Sequence, residues 1–207
     1  MLDCIVPAAG LSTRMGGKKL TALLGGKPLI THAVTHALAS CSRVIVVLGH
    51  DSDAVQDVLA RTWENEPRLR YVSNPDYRRG MITSIARGAL EVKSEWFFVA
   101  PADMPFLKSD LYQFILNSVP HKNDGVAALF PEYGGKPAHP TVVNTAVRED
   151  FARAVSPGPG SGDLPSMRRY LQSMKTRTVP VSDGGSIIDI DTPEAFTRYD
   201  ARAGESL

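Results

Sequence analysis

The densest group of residues able to do chemistry is Pro7-Ala-Ala-Gly-Leu-Ser-Thr-Arg-Met-Gly-Gly-Lys-Lys-Leu20. Gly10, Gly16 and Gly17 let the backbone come close to a ligand and turn its N–H groups toward an anion. Arg14, Lys18 and Lys19 add fixed positive charge to the same loop. A triphosphate requires both, amides for its oxygens and cations for its charge. The loop is not a Walker-type P-loop, in which a hydroxyl residue follows the lysine, because Leu20 follows Lys19. It is not a Gly-x-Gly-x-x-Gly loop either. A second group centres on Asp103, which follows the apolar run Phe97-Phe-Val-Ala100. Pro105, Lys108 and Ser109 separate it from the next helix, so it suits a magnesium ligand better than a helix cap. Magnesium takes one or two carboxylates and completes its shell with phosphate oxygens and water. The third group is Ile187-Ile-Asp-Ile-Asp-Thr-Pro-Glu194. On a strand, alternation puts Asp189 and Asp191 on one face. Asp191 also reads as the N-cap of a helix opened by Thr192-Pro193, with Glu194 at the capping-box position.

These groups are useful only if the fold brings them together. Leu2–Ala8 reads as a buried strand that delivers the first loop at its carboxyl end. Pro28 then starts a helix over Leu29–Ser40, and Arg43–Leu48 is an apolar, β-branched strand. The spacing of Val55, Val58 and Leu59 predicts a helix over Asp51–Thr62. Leu69–Ser73 and Glu95–Ala100 read as strands, and Met81–Val92 and Ser109–Val119 as helices, the latter with a serine cap. Further on, Gly125–Phe130 and Pro140–Val143 read as strands around the turn Tyr133-Gly-Gly-Lys-Pro. Thr145–Val155 and Pro165–Met174 read as helices, Arg177–Val181 and Ser186–Ile190 as strands, and Pro193–Arg202 as a closing helix. Ser156–Asp163, rich in Gly and Pro, is a loop or lid. Buried strands alternating with helices indicate a parallel sheet covered on both faces, and ligands of such sheets bind beyond the strands' carboxyl ends.

Composition narrows the function classes. In 207 residues, 43% hydrophobic and 22% charged content matches a soluble globular chain with a core of its own. A net charge of +1 gives no support to a dedicated nucleic-acid binder. Cys4 and Cys41 are too few for a disulfide framework, and read as small buried apolar residues of a reducing compartment. No apolar run reaches the roughly 18 residues of a membrane span, and the start lacks a signal-peptide pattern. The expected location is the cytoplasm. His32 and His36, four apart without an acidic partner, read as part of an amphipathic helix. His50-Asp51 lacks a serine in a nucleophile-elbow context, which argues against a hydrolase.

Taken together, the motifs resemble the MobA-like nucleotidyltransferases, and most of all their molybdenum cofactor cytidylyltransferase branch. The resemblance runs from Ala8-Ala-Gly-Leu-Ser-Thr-Arg-Met-Gly16 through Asn74-Pro-Asp-Tyr-Arg-Arg-Gly-Met-Ile-Thr-Ser84 and Pro101-Ala-Asp-Met-Pro105. It continues through Gly135-Lys-Pro-Ala-His-Pro140 to Asp189-Ile-Asp-Thr-Pro-Glu194. It implies a three-layer α/β/α sandwich with a Rossmann-like, mostly parallel sheet of the nucleotide-diphospho-sugar transferase type. The chain would be one domain, with a nucleotide-binding half over residues 1–107 and an acceptor-binding half over residues 108–207. The reaction implied is transfer of a nucleoside monophosphate to an acceptor phosphate, with release of pyrophosphate.

Carried over by position, Arg14 and Lys19 would hold the triphosphate and offset charge on the leaving pyrophosphate. Asp103, with Asp191 as second ligand, would hold Mg²⁺. Ala8, Ala9, Gly10, Leu11 and Ser12 would line the nucleotide, together with Asn74, Gly80 and Ser84. His139 and Arg168 would face the acceptor. One departure is Gly135-Lys-Pro-Ala-His139, where the family shows a more basic Gly-Arg-Arg-Gly-His. Guanylyltransferase relatives carry Leu-Ala-Gly-Gly in the first loop. The methyl of Ala9 here favours a pyrimidine, so the expected reaction is CMP transfer from CTP to the phosphate of molybdopterin. The alternatives are guanylyl transfer to molybdopterin, transfer to a sugar or polyol phosphate, or a non-catalytic cofactor carrier serving a client molybdenum enzyme. Neither nucleic acid nor membrane is an expected partner.

Overall fold

The computed structural model describes residues 1–12, 16–120, 124–156 and 164–205. Arg14 therefore lies outside the described residues, as does most of the loop expected at Ser156–Asp163. The first half is built from β1 (Asp3–Ala8), the short hairpin strands β2 (Leu23–Leu24) and β3 (Lys27–Pro28), helix α1 (Leu29–Ser40), β4 (Arg43–Leu48), α2 (Ser52–Thr62), β5 (Leu69–Ser73), α3 (Met81–Ala89), β6 (Trp96–Val99) and α4 (Ser109–Leu116). The second half holds β7 (Ala128–Tyr133), β8 (Lys136–Pro137), β9 (Thr141–Asn144), α5 (Arg148–Val155), α6 (Met167–Leu171), β10 (Thr176–Pro180) and α7 (Pro193–Glu205). The main sheet has the order β10-β7-β9-β6-β1-β4-β5, with β8 paired to β7. Within it β9 runs against β6 and β7, while the pairs β1–β4, β1–β6, β4–β5 and β7–β10 are parallel.

The two cores follow from strand parity. Cys4, Val6 and Ala8 of β1 face a core shared with α1, α2 and α4, against which α7 also packs. Ile5, one residue out of phase, faces a core shared with α3, α5 and α6. In α1 the buried stripe Leu29, Ile30, Ala33, Val34, Ala37 and Leu38 has the helical spacing that a covering helix requires. The result is the expected α/β/α sandwich. Among the described residues no helix is long and apolar enough to cross a membrane.

Three local expectations are corrected. Ser186–Ile190 is not a strand: Gly184–Ile187 forms a 3₁₀ turn, capped by the Asp183 carboxylate on the Gly185 amide at 2.8 Å. Gly185 passes so close to β6's exit loop that a Cβ there would lie 2.5 Å from the Phe106 carbonyl oxygen, which a ladder-paired strand could not do. The cap of α7 is Thr192 and not Asp191: the Thr192 hydroxyl accepts from the Ala195 amide at 3.2 Å, while Asp191 Oδ1 accepts from Lys19. Ser109 does not cap α4 either. The boundary residue is Lys108, without a side-chain cap, and Ser109 is the first helical residue.

Candidate active site

The chain winds from β1 outward to β4 and β5, then returns across β1 to place β6 on its other side. That reversal opens a crevice between the carboxyl ends of β1 and β6, where doubly wound sheets bind ligands. A cleft occupies it, lined among others by Ala8, Ala9, Gly10, Ser12, Ser84 and Asp103. Lys19, at the start of the 3₁₀ turn Lys19–Thr21, reaches into it.

The Lys19 ammonium joins the two acidic groups singled out in the sequence. Its Nζ donates to Asp103 Oδ2 at 2.6 Å and to Asp191 Oδ1 at 2.6 Å. The backbone explains why residues 88 apart in sequence meet: the Ile190 amide donates to the Asp103 carbonyl at 2.9 Å. Asp103 itself is held by the tail of β6, where the Ala100 amide continues the ladder to Ile5 at 3.0 Å. The lysine side chain is 10% exposed, while Asp103 and Asp191 are 23% and 41% exposed. Solvent or a ligand can therefore reach the carboxylates without dismantling the core. Burial works to lower the Lys19 pKa, but the carboxylates of Asp103 and Asp191 outweigh it and the group is held above its ordinary value. The Asp189 carboxyl is raised, by partial burial and then by the charges of Asp191 and Asp103. Three carboxylates thus gather at this edge of the sheet, two of them bonded to the Lys19 ammonium. Two carboxylate oxygens already converge on one point, and an all-oxygen donor set suits Mg²⁺. Among the described residues no group of three or more acidic, His or Cys side chains forms a ready cation cage, so further ligands would come from water and substrate oxygens.

The other expected residues divide. Asn74 is buried and does not line the cleft. Its Nδ2 donates to Thr83 Oγ1 and Ser84 Oγ, each at 2.9 Å, and its Oδ1 accepts from the Asp76 amide at 3.0 Å. It pins the loop after β5 to the start of α3 and so positions Ser84, which does line the cleft. Gly80 joins the 3₁₀ turn Tyr77–Arg79 to α3. Leu11 is half-buried and outside the lining. His139 precedes a cis peptide bond to Pro140, and its Nδ1 is buried without a partner among the described residues. Burial lowers its pKa, the Asp103 carboxylate opposes this, and the Arg168 guanidinium adds to it. The ring is thus within electrostatic reach of both. Arg168 lies over the Phe130 ring, its Cζ 4.7 Å from the centroid, an arrangement that fixes a guanidinium while leaving its N–H groups to a ligand.

Sequence reasoning missed one wall. Tyr77 and Met81 line the cleft, and Gly49-His50 sits beneath them. A Cβ on Gly49 would lie 2.7 Å from Ala9 Cβ and 2.8 Å from Tyr77 Cβ, so the first loop, the end of β4 and Tyr77 meet only because residue 49 is glycine. His50 is 6.3 Å from Tyr77 between ring centroids. The signal was available, since Gly49-His50 follows a buried strand just as Asp103 does.

The MobA-like NTP transferase domain family matches residues 4–177 of the chain. The molybdenum cofactor cytidylyltransferase of Escherichia coli strain K12 is 31% identical over 195 residues, 94% of this chain and 93% of that protein. A putative molybdenum cofactor guanylyltransferase of Neisseria meningitidis serogroup B is 25% identical, covering 91% of this chain and 94% of its own. In fold, the chain is similar to a nucleotidyl transferase from Methanothermobacter, with TM-score 0.77 and 20% identity over 100% of this chain and 99% of that one.

Proposed function

The chain belongs to the MobA-like NTP transferase family, and on that premise we propose that it moves CMP from CTP to the phosphate of molybdopterin, releasing pyrophosphate. The observation that carries the assignment of the site is the convergence of Asp103 and Asp191 on the Lys19 nitrogen at the sheet's carboxyl edge. A resident Mg²⁺ held by these two carboxylates would neutralise triphosphate charge and orient the α-phosphorus.

The chain's own residues supply the rest. The amides of the loop at Gly10 and Ser12 face the cleft and accommodate the nucleotide at close range. Asp103 and Asp191 would hold the cation, and Lys19, beside them in the cleft, would meet the triphosphate. With Arg14 it offsets the charge that accumulates on the leaving pyrophosphate. An acceptor phosphate oxygen attacks the α-phosphorus in line, the bond from that phosphorus to the bridging oxygen breaks, and pyrophosphate departs. No protein nucleophile is needed, because the acceptor phosphate is ionised at neutral pH. Orientation of two anions against their repulsion is the main demand, and it is met by position and charge. Ser84, set by Asn74 and Gly80, borders the nucleoside. His139 borders the acceptor side, and Arg168 offers its guanidinium there. On this reading residues 1–107 hold the nucleotide and residues 108–207 complete the acceptor side. Work on a cofactor intermediate places the protein in the cytoplasm, in reach of a client molybdenum enzyme.

CTP rather than GTP follows from Ala9. Its methyl stands beside Gly49 in the wall that Tyr77 completes, and this methyl, where a glycine would leave more room, is what supports the smaller pyrimidine base. The test incubates the protein with Mg²⁺, molybdopterin and equal amounts of the four nucleoside triphosphates, with products identified by mass spectrometry. A cytidine dinucleotide and pyrophosphate are expected. A guanine product would correct the base, and no product with any nucleotide would remove the acceptor assignment.

A further inference from the structure

A second cavity lies behind the wall that carries Asn74, between α3 and α5. Its volume is about 530 Å³, within the range of small-molecule pockets. It does not open into the nucleotide cleft: Thr83 lines this cavity and the next residue, Ser84, lines the cleft, with Asn74 bonded to both. Its floor is apolar, with Ala86 of α3 and Leu90, which caps the end of that helix, facing Ala152 and Val155 from α5. Leu90 is 51% exposed, which leaves an apolar side chain uncovered at the rim.

Two guanidiniums border this floor, Arg79 and Arg87. Arg87 is anchored by its Nε, which donates to the Ser73 carbonyl at 3.3 Å, so its terminal N–H groups stay available. Neither arginine has a carboxylate partner among the described residues. Among the described lining residues Asp76 is the one acid beside Arg79 and Arg87, so their summed charge is positive. We infer that this groove is a binding site for a small amphiphilic monoanion, its acidic group on Arg79 and Arg87 and its apolar body on Ala86, Leu90, Ala152 and Val155. The reaction needs nothing from this site, so the inference stands apart from the proposed activity.

The test uses the fluorescent sulfonate 8-anilinonaphthalene-1-sulfonate with the full chain, the nucleotide cleft filled by CTP and Mg²⁺. A single saturable site is expected. Arg79→Glu with Arg87→Glu should weaken it by about tenfold or more, the scale of lost charge-assisted hydrogen bonds. Ala152→Trp, which fills the groove and keeps both charges, should weaken it comparably, while Lys19→Ala in the other cleft should leave it within twofold. Octanoate and octyl phosphate serve as competitors, and the better displacer tells whether the acidic group is a carboxylate or a phosphate. The inference fails if neither displaces the probe, if the groove variants bind it as the wild type does, or if Lys19→Ala removes it. Thermal melts of each variant distinguish lost binding from lost fold.

Discussion

The two ends of β1 each carry a charged cluster, and they are built to opposite rules. At the amino end Asp3 is 2% exposed, and its carboxylate is paired with Arg43. Arg43 Nε donates to Oδ1 at 3.2 Å, and the Lys93 amide donates to Oδ2 at 2.7 Å. Burial would raise the Asp3 pKa, but the Arg43 hydrogen bonds and charge, with the Lys93 and Ser94 amides, pull it below the usual value. Charge is balanced there and the acceptor oxygens are satisfied. At the carboxyl end, Lys19 serves two carboxylates with a third acid nearby, and those two carboxylates are partly open to solvent. A closed pair holds a structure together. An accessible cluster is arranged to exchange partners.

That contrast is broken most sharply by exchanging the effects of mutation at the two ends. Asp103→Asn should lower the rate of pyrophosphate release by roughly 10²–10³-fold, the scale of losing one charge-stabilising group, with little change in the denaturation midpoint. Asp3→Ala should do the reverse. Removing the buried carboxylate from half-buried Arg43 and from the Lys93 and Ser94 amides costs about 3–5 kcal/mol of stability, measurable by urea unfolding, while turnover per folded molecule stays near the wild-type value. Equal losses of stability at both ends would remove the distinction.

Lys19→Met sharpens it further. The substitution removes the ammonium but frees both carboxylates, so turnover should fall while the binding of Mn²⁺ without nucleotide, followed by paramagnetic resonance, becomes tighter. The pH dependence separates the ends as well. Asp3 is depressed, so its stabilisation is complete above the ordinary carboxylate pKa and is lost as pH falls through its lower folded value. Asp189 is raised, so the folded state disfavours its ionised form, and its unfavourable contribution grows as pH rises through that higher value. Acid unfolding of Asp189→Asn should keep the Asp3 step and lose the opposing slope. The smallest effect is at Ala9. Replacement by Gly should shift preference from CTP toward GTP by about 1–3 kcal/mol, the worth of a methyl in a fitted pocket, read as a ratio of kcat/KM values.

Much of this was legible in the sequence. Arg43–Leu48, Leu69–Ser73 and Leu29–Ser40 have in the structure the bounds their patterns indicate, because unbroken β-branched runs and a Pro-started apolar stripe leave few alternatives. Lys19, Asp103 and Asp191 were singled out separately, and the structure brings them together. What stayed hidden depended on tertiary contact. The Ser186–Ile190 pattern reads as a strand, yet the chain turns over Gly184–Ile187, where Gly185 passes close to Phe106. Asp191 looks like a cap until Thr192 takes that role. Asn74 belongs to a nucleotide motif but acts from behind the cleft, since its three hydrogen bonds are all internal. The wall of Gly49, His50 and Tyr77 required knowing that loops distant in sequence touch.

The most direct test of the account is site-resolved paramagnetic relaxation by Mn²⁺ in the presence of CTP, read on backbone amide signals. Selective broadening around Ala9–Ser12, Asp103 and Asp191, lost in Asp103→Asn and kept in Asp3→Asn, is the predicted result. Broadening centred on Asp3 and Arg43, or unchanged in Asp103→Asn, would contradict the claim that the carboxyl end of β1, with its accessible carboxylates, is the catalytic one.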